Sequence, residues 1–129
     1  MNFMVSFELP KAAAHCYRAF CDVSLMKLWV PELKLLRVVR KDEKDRPIEV
    51  YFESGLRHSY ALVYAYDDQH LKVRWVPSAG VRDGVSGRAS FQQLPNGCHF
   101  VYALDGLRSG LNEHELEVAT AFTQWIIDG

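Results

Sequence analysis

The residues best equipped for chemistry lie between Arg57 and Val76, in the stretch RHSYALVYAYDDQHLKVRWV. Tyr60, Leu62, Tyr64 and Tyr66 share one parity, and Ser59, Ala61, Val63 and Ala65 share the other. Successive side chains of a strand point to opposite faces, so this half reads as a strand with one bulky, aromatic face. Three of the four bulky groups on that face carry a hydroxyl. A phenol both donates and accepts hydrogen bonds, so such a face can orient a carbonyl or phenol, or act as a proton donor. Two readings stay open: the wall of a mostly apolar pocket with a few polar points, or ordinary sheet core whose hydroxyls reach the rim.

Other chemistries find less support. His15, His58, His70, His99 and His114 show no paired metal-ligand spacing, and NEHELE departs from the HExxH pattern because Val118 stands where the second histidine is needed. Cys16, Cys21 and Cys98 are an odd count without CxxC spacing, which reads as reduced, mostly buried thiols. No GxSxG is present, and Gly80, Gly84 and Gly87 lack the strand-to-helix setting of a phosphate loop. Glu49 and Glu53 fall on the outer parity of their strand, so no carboxylate pair is expected in a pocket. Neither a metal nor a cofactor is expected.

Composition narrows the partners. The 129 residues are 49% hydrophobic and 24% charged, as in an ordinary soluble domain, and residues 1–129 read as one domain. With 15 basic and 16 acidic residues the net charge is −1, which argues against nucleic acid and anionic membranes as partners. Arg40 to Arg46 alternates in sign and reads as a solvated turn. No stretch has the length of a membrane span, and the first residues lack a leader's pattern, so a cytoplasmic location is expected.

The elements that would position the aromatic face follow from periodicity. Phe3, Val5, Phe7 and Leu9 alternate with polar residues or Met4, a strand. Pro10 suits a first helical turn, and Ala13, Cys16, Tyr17, Phe20 and Cys21 form a helical stripe. Asp22 can cap a second short helix, SLMKLW, that Pro31 stops. Strands are then expected around Leu36 to Arg40, Ile48 to Glu53, the hairpin of Arg57 to Val76, Arg88 to Gln92 and His99 to Leu104. Asn112 and Glu115 make a capping box for a last helix, whose stripe runs through Leu116, Val118, Ala119, Phe122, Trp125 and Ile126. On the outer parity, Ala61, Val63, Ala65 and Val76 are unusually apolar, which suggests a contact surface and a possible homodimer.

This order resembles the START and birch-pollen-allergen superfamily, also called SRPBCC or the polyketide cyclase/dehydrase group. The resemblance covers almost the whole chain. It rests on Trp29-Val30-Pro31, Leu36 to Asp42 leading into Arg46-Pro47-Ile48-Glu49-Val50, Tyr60 to Tyr64, Val73-Arg74-Trp75, Gly87 to Phe91 and the terminal helix. It implies an α+β helix-grip fold: a curved antiparallel sheet of about seven strands, in β-α-α-β6-α order, wrapped around the C-terminal helix with an internal cavity.

The resemblance also implies a function, the binding of a hydrophobic or aromatic small molecule such as a lipid, quinone or polyketide. A polyketide cyclase or aromatase is one alternative, with Tyr60, Tyr64, Tyr102 or His58 as proton donors or relays. A ligand-free interaction module is the other. Strand parity taken with the family's cavity face selects Phe52, Tyr60, Leu62, Tyr64, Trp75, Phe91 and Tyr102 as ligand contacts. Phe122 and Trp125 would oppose them from the helix, with Trp29 near the entrance and His58 at a strand end on the rim.

Overall fold

A computed structural model describes residues 3–54, 59–78, 86–105 and 112–129. Strand β1 (Phe3–Leu9) leads into helix α1 (Ala13–Cys21), a single 3-10 turn (Val23–Leu25) and the one-turn helix α2 (Met26–Trp29). Six strands follow: β2 (Leu33–Lys41), β3 (Pro47–Ser54), β4 (Ser59–Asp67), β5 (Lys72–Pro77), β6 (Gly87–Leu94) and β7 (Gly97–Leu104). Helix α3 (Asn112–Asp128) closes the chain. The strands form one antiparallel sheet in the order β1-β7-β6-β5-β4-β3-β2. Consecutive strands from β2 to β7 are neighbours, and β1 returns to pair with β7, so β1 and β2 are the edges.

The alternation expected from the sequence appears as burial. Along β5, Val73 and Trp75 are buried between exposed Lys72, Arg74 and Val76. Along β4, Leu62 and Tyr64 are buried, with Tyr60 and Tyr66 half-buried on the same face. That face meets Tyr17 and Phe20 of α1 and Ala119, Phe122 and Ile126 of α3 in one apolar core. The outer face is dressed by the chain's own side chains: Arg37 lies 5.4 Å from the Tyr51 ring centre, and Glu49 accepts hydrogen bonds from Arg40 and Ser78. Ala61 there is buried, whereas Val76 is half-exposed.

Local signals explain the opening of the chain, with one exception. The Asp22 carboxylate caps the 3-10 turn by accepting from the Ser24 backbone N–H at 3.0 Å, as an N-cap aspartate should. Helix α1 has no side-chain cap of its own at Ala12. A distant residue serves instead: Gln93 Oε1 at the end of β6 accepts from the Ala13 N–H at 2.9 Å, while its Nε2 donates to the Leu94 and Gly97 carbonyls. This fixes the helix onto the sheet. The next crossing is equally tight, since a side chain at Gly97 would sit 2.0 Å from the Leu9 carbonyl oxygen. Strand β2 begins at Leu33, earlier than expected, and runs with register shifts near Leu33 and Arg40.

Candidate functional site

The concave face of the sheet divides into two parts according to what α1 places over it. The first is a close-packed aromatic cluster centred on Phe20. Its ring lies 5.1 to 6.4 Å from the rings of Trp29, Trp75, Phe91, Phe100, Tyr102 and Phe122. Phe91 and Phe100 stack at 5.0 Å, and Phe100 and Phe122 meet edge to face at 5.2 Å. Centroid separations of this size are those of favourable aromatic pairs.

The residues anticipated as ligand contacts are located accordingly. Trp29, Phe52, Leu62, Tyr64, Trp75, Phe91, Tyr102 and Phe122 are buried, while Tyr60 and Trp125 are half-buried. Phe52 stacks on Tyr60 at 5.1 Å, Tyr64 on Tyr66 at 6.3 Å, and Trp125 lies 6.2 Å from Phe122. His58 lies outside the described residues. Trp29 Nε1 and Thr123 Oγ1 are buried polar atoms without a hydrogen-bond partner among the described residues. The residue that sequence reasoning placed only in a helical stripe, Phe20, is the hub.

The second part is a cleft of about 810 Å³ between α1 and the tips of two hairpins, a volume within the usual range for small-molecule sites. Its apolar lining comes from Leu36 and Val38 of β2, Tyr66 of β4, Leu71 of the β4–β5 turn, and Ala14 and Val23 beside them. Leu71 adopts a left-handed backbone (φ 54°), uncommon for a residue with a Cβ, and its carbonyl accepts from the Phe91 N–H at 3.1 Å. None of the ten described side chains anticipated as contacts lines this cleft.

A polar network holds one wall. The Tyr17 hydroxyl donates to Asp68 Oδ1 at 2.7 Å, and Arg46 Nη1 donates to both oxygens of Asp68 at 2.7 Å. Arg46 Nε donates to Asp42 Oδ2 at 3.1 Å, and the guanidinium lies 4.6 Å from the Tyr66 ring centre, a cation–π contact. The network thus ties α1, the β2–β3 turn and the β4–β5 turn together. The β2–β3 turn was expected to be merely solvated; its Arg46 is instead half-buried and fully engaged.

These contacts set the protonation states. The Asp68 carboxyl is held below its ordinary value by the Tyr17 hydrogen bond and then, against some desolvation, by Arg46. Asp42 is held low chiefly by the Arg46 backbone N–H. Burial would lower Arg46, yet hydrogen bonds to Asp68 and Asp42 carry it upward. Burial, followed by the Asp68 contact, pushes the Tyr17 phenol up. Burial likewise raises Tyr66, and carries the Cys21 thiol on the cleft wall to about 12. At neutral pH these groups are therefore two carboxylates, one guanidinium, neutral phenols and a neutral thiol. Among the described residues no three His, Cys, Asp or Glu side chains gather as metal ligands, and no helix is long and apolar enough to cross a membrane.

No protein-family model matches the sequence, and no curated protein matches it either. Solved structures do match its shape. A START superfamily protein from Mycobacterium smegmatis superposes with a TM-score of 0.77 at 14% identity, covering 97% of this chain and 96% of that one. The Zhui aromatase/cyclase from Streptomyces sp. R1128 gives a TM-score of 0.79 at 9% identity, covering 98% and 93%. The protein Ara h 8.0201 gives 0.73 at 11% identity, covering 100% and 99%. The fold is the α+β helix-grip class, a curved antiparallel sheet with a C-terminal helix. More particularly, it is the START/birch-pollen-allergen-like, or SRPBCC, fold. At these identities the likeness is one of fold.

Proposed function

We propose that this chain binds a hydrophobic or aromatic small molecule, of the lipid, quinone or polyketide kind, on the concave side of its sheet. The observation that carries this reading is the cleft of about 810 Å³ floored by Leu36, Val38, Tyr66 and Leu71. Such a floor gains from covering apolar ligand surface by roughly 25 cal/mol per Å² before binding costs are subtracted. The aromatic residues anticipated as contacts play a supporting part in this reading. Tyr64 stacks on Tyr66 and contacts Trp75, so the cleft floor rests on the rigid cluster behind it.

A cyclase-type enzyme is the second reading, favoured by the fold likeness to the Zhui aromatase/cyclase and by phenols on the concave face. The protonation states weigh against it. A general acid works best with a pKa near the working pH, and burial moves Tyr17, Tyr64 and Tyr66 away from that range. Asp68, held low by Tyr17 and Arg46, is a weak base. The network is better suited to holding a wall in place than to moving protons.

The test is a titration with phenylnaphthylamine, a neutral aromatic dye, followed by its emission. Saturable binding near one dye per chain, abolished when Val38→Trp fills the cleft floor in a folded protein, is expected. A flat titration would end the reading, and saturation that survives Val38→Trp would move the site elsewhere.

A further inference from the structure

The charges around the mouth of the cleft are unevenly paired. Each carboxylate there is occupied: Asp68 by Tyr17 and Arg46, Asp45 by Lys41 at 3.3 Å, and Asp22 by the Ser24 backbone and hydroxyl. On the basic side, Arg46 and Lys41 are spent in those pairs. Two cations remain. Arg18 of α1 and Lys44 of the β2–β3 turn both line the cleft and are exposed, and neither forms a close ion pair among the described residues, Lys44 acting on Asp68 only at longer range. Arg18 has a local reason to be there, since a cation in the last turn of a helix complements its dipole. Lys44 has none.

We infer that the ligand of this cleft is an amphipathic anion: an aliphatic or aromatic body laid on Leu36, Val38, Tyr66 and Leu71, with a carboxylate or similar acidic group at the mouth between Arg18 and Lys44. This rests on the cleft being the ligand site. The acid enters as a free small molecule and is not the headgroup of a lipid in a bilayer. The same mouth presents Asp22, Asp45 and Asp68, which an anionic membrane surface would repel, and the whole chain carries a net charge of −1. The three carboxylates are each already engaged, Asp68 by Tyr17 and Arg46, Asp45 by Lys41 and Asp22 by Ser24, which leaves the two cations to the ligand's acidic group.

A matched pair of probes tests this. Anilinonaphthalene sulfonate and phenylnaphthylamine share one aromatic body and differ by the anionic group. The sulfonate is expected to bind more tightly, by about three- to tenfold at low salt, with the advantage shrinking as salt screens the mouth. In the double variant Arg18→Gln/Lys44→Gln the ratio of the two affinities should fall to near one. Both positions are exposed, so the variant is expected to keep the parent's circular dichroism and melting curve. Equal affinities in the parent protein would overturn the inference and leave the hydrophobic-ligand reading standing. A sulfonate preference that persists in the double variant would overturn it too. Failure of both probes would remove the ligand site itself. Sedimentation with phosphatidylglycerol vesicles supplies the last arm. The protein is expected to stay in the supernatant, and Lys44-dependent co-sedimentation would replace the free acid by a membrane.

Discussion

The two halves of the concave face belong to one sheet with the same alternation, yet one is solid and the other hollow. Over β6 and β7, α1 lowers Phe20 onto Phe91 and Phe100, and α3 lowers Phe122 onto the same rings. Over the outer parts of β2 and β4, α1 offers Ala14 and the polar end of Tyr17, and the space beyond them is the cleft. The sheet supplies an apolar surface in both places. What separates packed core from open cleft is the size of the side chains that α1, together with Phe122 of α3, turns toward it. In the solid half every large ring has ring neighbours; in the hollow half Leu36, Val38 and Leu71 are only half-buried, leaving apolar surface for a ligand to cover.

The largest test of this contrast is a pair of truncations. Phe20→Ala deletes the hub of the cluster and should destabilise the protein by about 3–5 kcal/mol in chemical denaturation, since a buried ring leaves both lost transfer energy and a cavity. Leu36→Ala on the cleft floor removes a half-buried side chain with open space on one side, and should cost about 1 kcal/mol. Equal losses would mean that the cleft floor is packed as tightly as the cluster, and the division of the face would fail.

A smaller effect is expected from acid. Asp68 and Asp42 have folded-state values below their unfolded ones, so they bind fewer protons folded than unfolded. Their contribution is fully present above the unfolded carboxylate range, near pH 4, and is lost as pH falls through the folded values. These carboxylates join the hairpin tips to α1 on the cleft side alone. The cleft should therefore loosen before the cluster. Binding of the neutral dye should weaken in acid while the near-ultraviolet circular dichroism of the aromatic cluster persists. Simultaneous loss of both signals would show that the network supports the whole fold rather than its hollow half.

Much of this was legible in the residues. Alternation in Phe3–Leu9, in Ser59–Asp67 and in Lys72–Pro77 located the strands, and the run of elements placed the chain in its fold. Alternation tells which residues share a face; it carries no information about what arrives opposite that face. Tyr17 and Phe20 were both visible in the stripe of α1, but periodicity could not tell that one would fill the centre and the other would reach for Asp68, 51 residues away. The cleft stayed hidden for a similar reason. Half of its mouth comes from the alternating charges of Lys41 to Arg46, and such a run looks solvated until Arg46 is seen paired with Asp68, 22 positions on. The cap of α1 by Gln93 belongs with these cases, being a contact between residues 80 positions apart.

Tyr17 belongs to both halves at once, which makes it the finest probe of the boundary. Its ring stands edge-on to Phe91 at 6.2 Å, inside the cluster, while its hydroxyl donates to Asp68 at the cleft wall. Tyr17→Phe keeps the first contact and deletes the second. Asp68 retains both hydrogen bonds from Arg46 and is half-exposed, so no buried acceptor is stranded and the loss should be only about 0.5–1.5 kcal/mol. The acid response gives the sharper reading. The Tyr17 hydrogen bond is the largest of the contacts that hold Asp68 low, so its removal should let that carboxyl titrate closer to its ordinary value. The acid loss of dye binding should then begin at a higher pH in Tyr17→Phe than in the parent, with the aromatic circular dichroism unchanged. An unshifted acid midpoint would mean that Arg46 alone sets the Asp68 charge, and that α1 is held over the sheet by its buried face and not by its phenol.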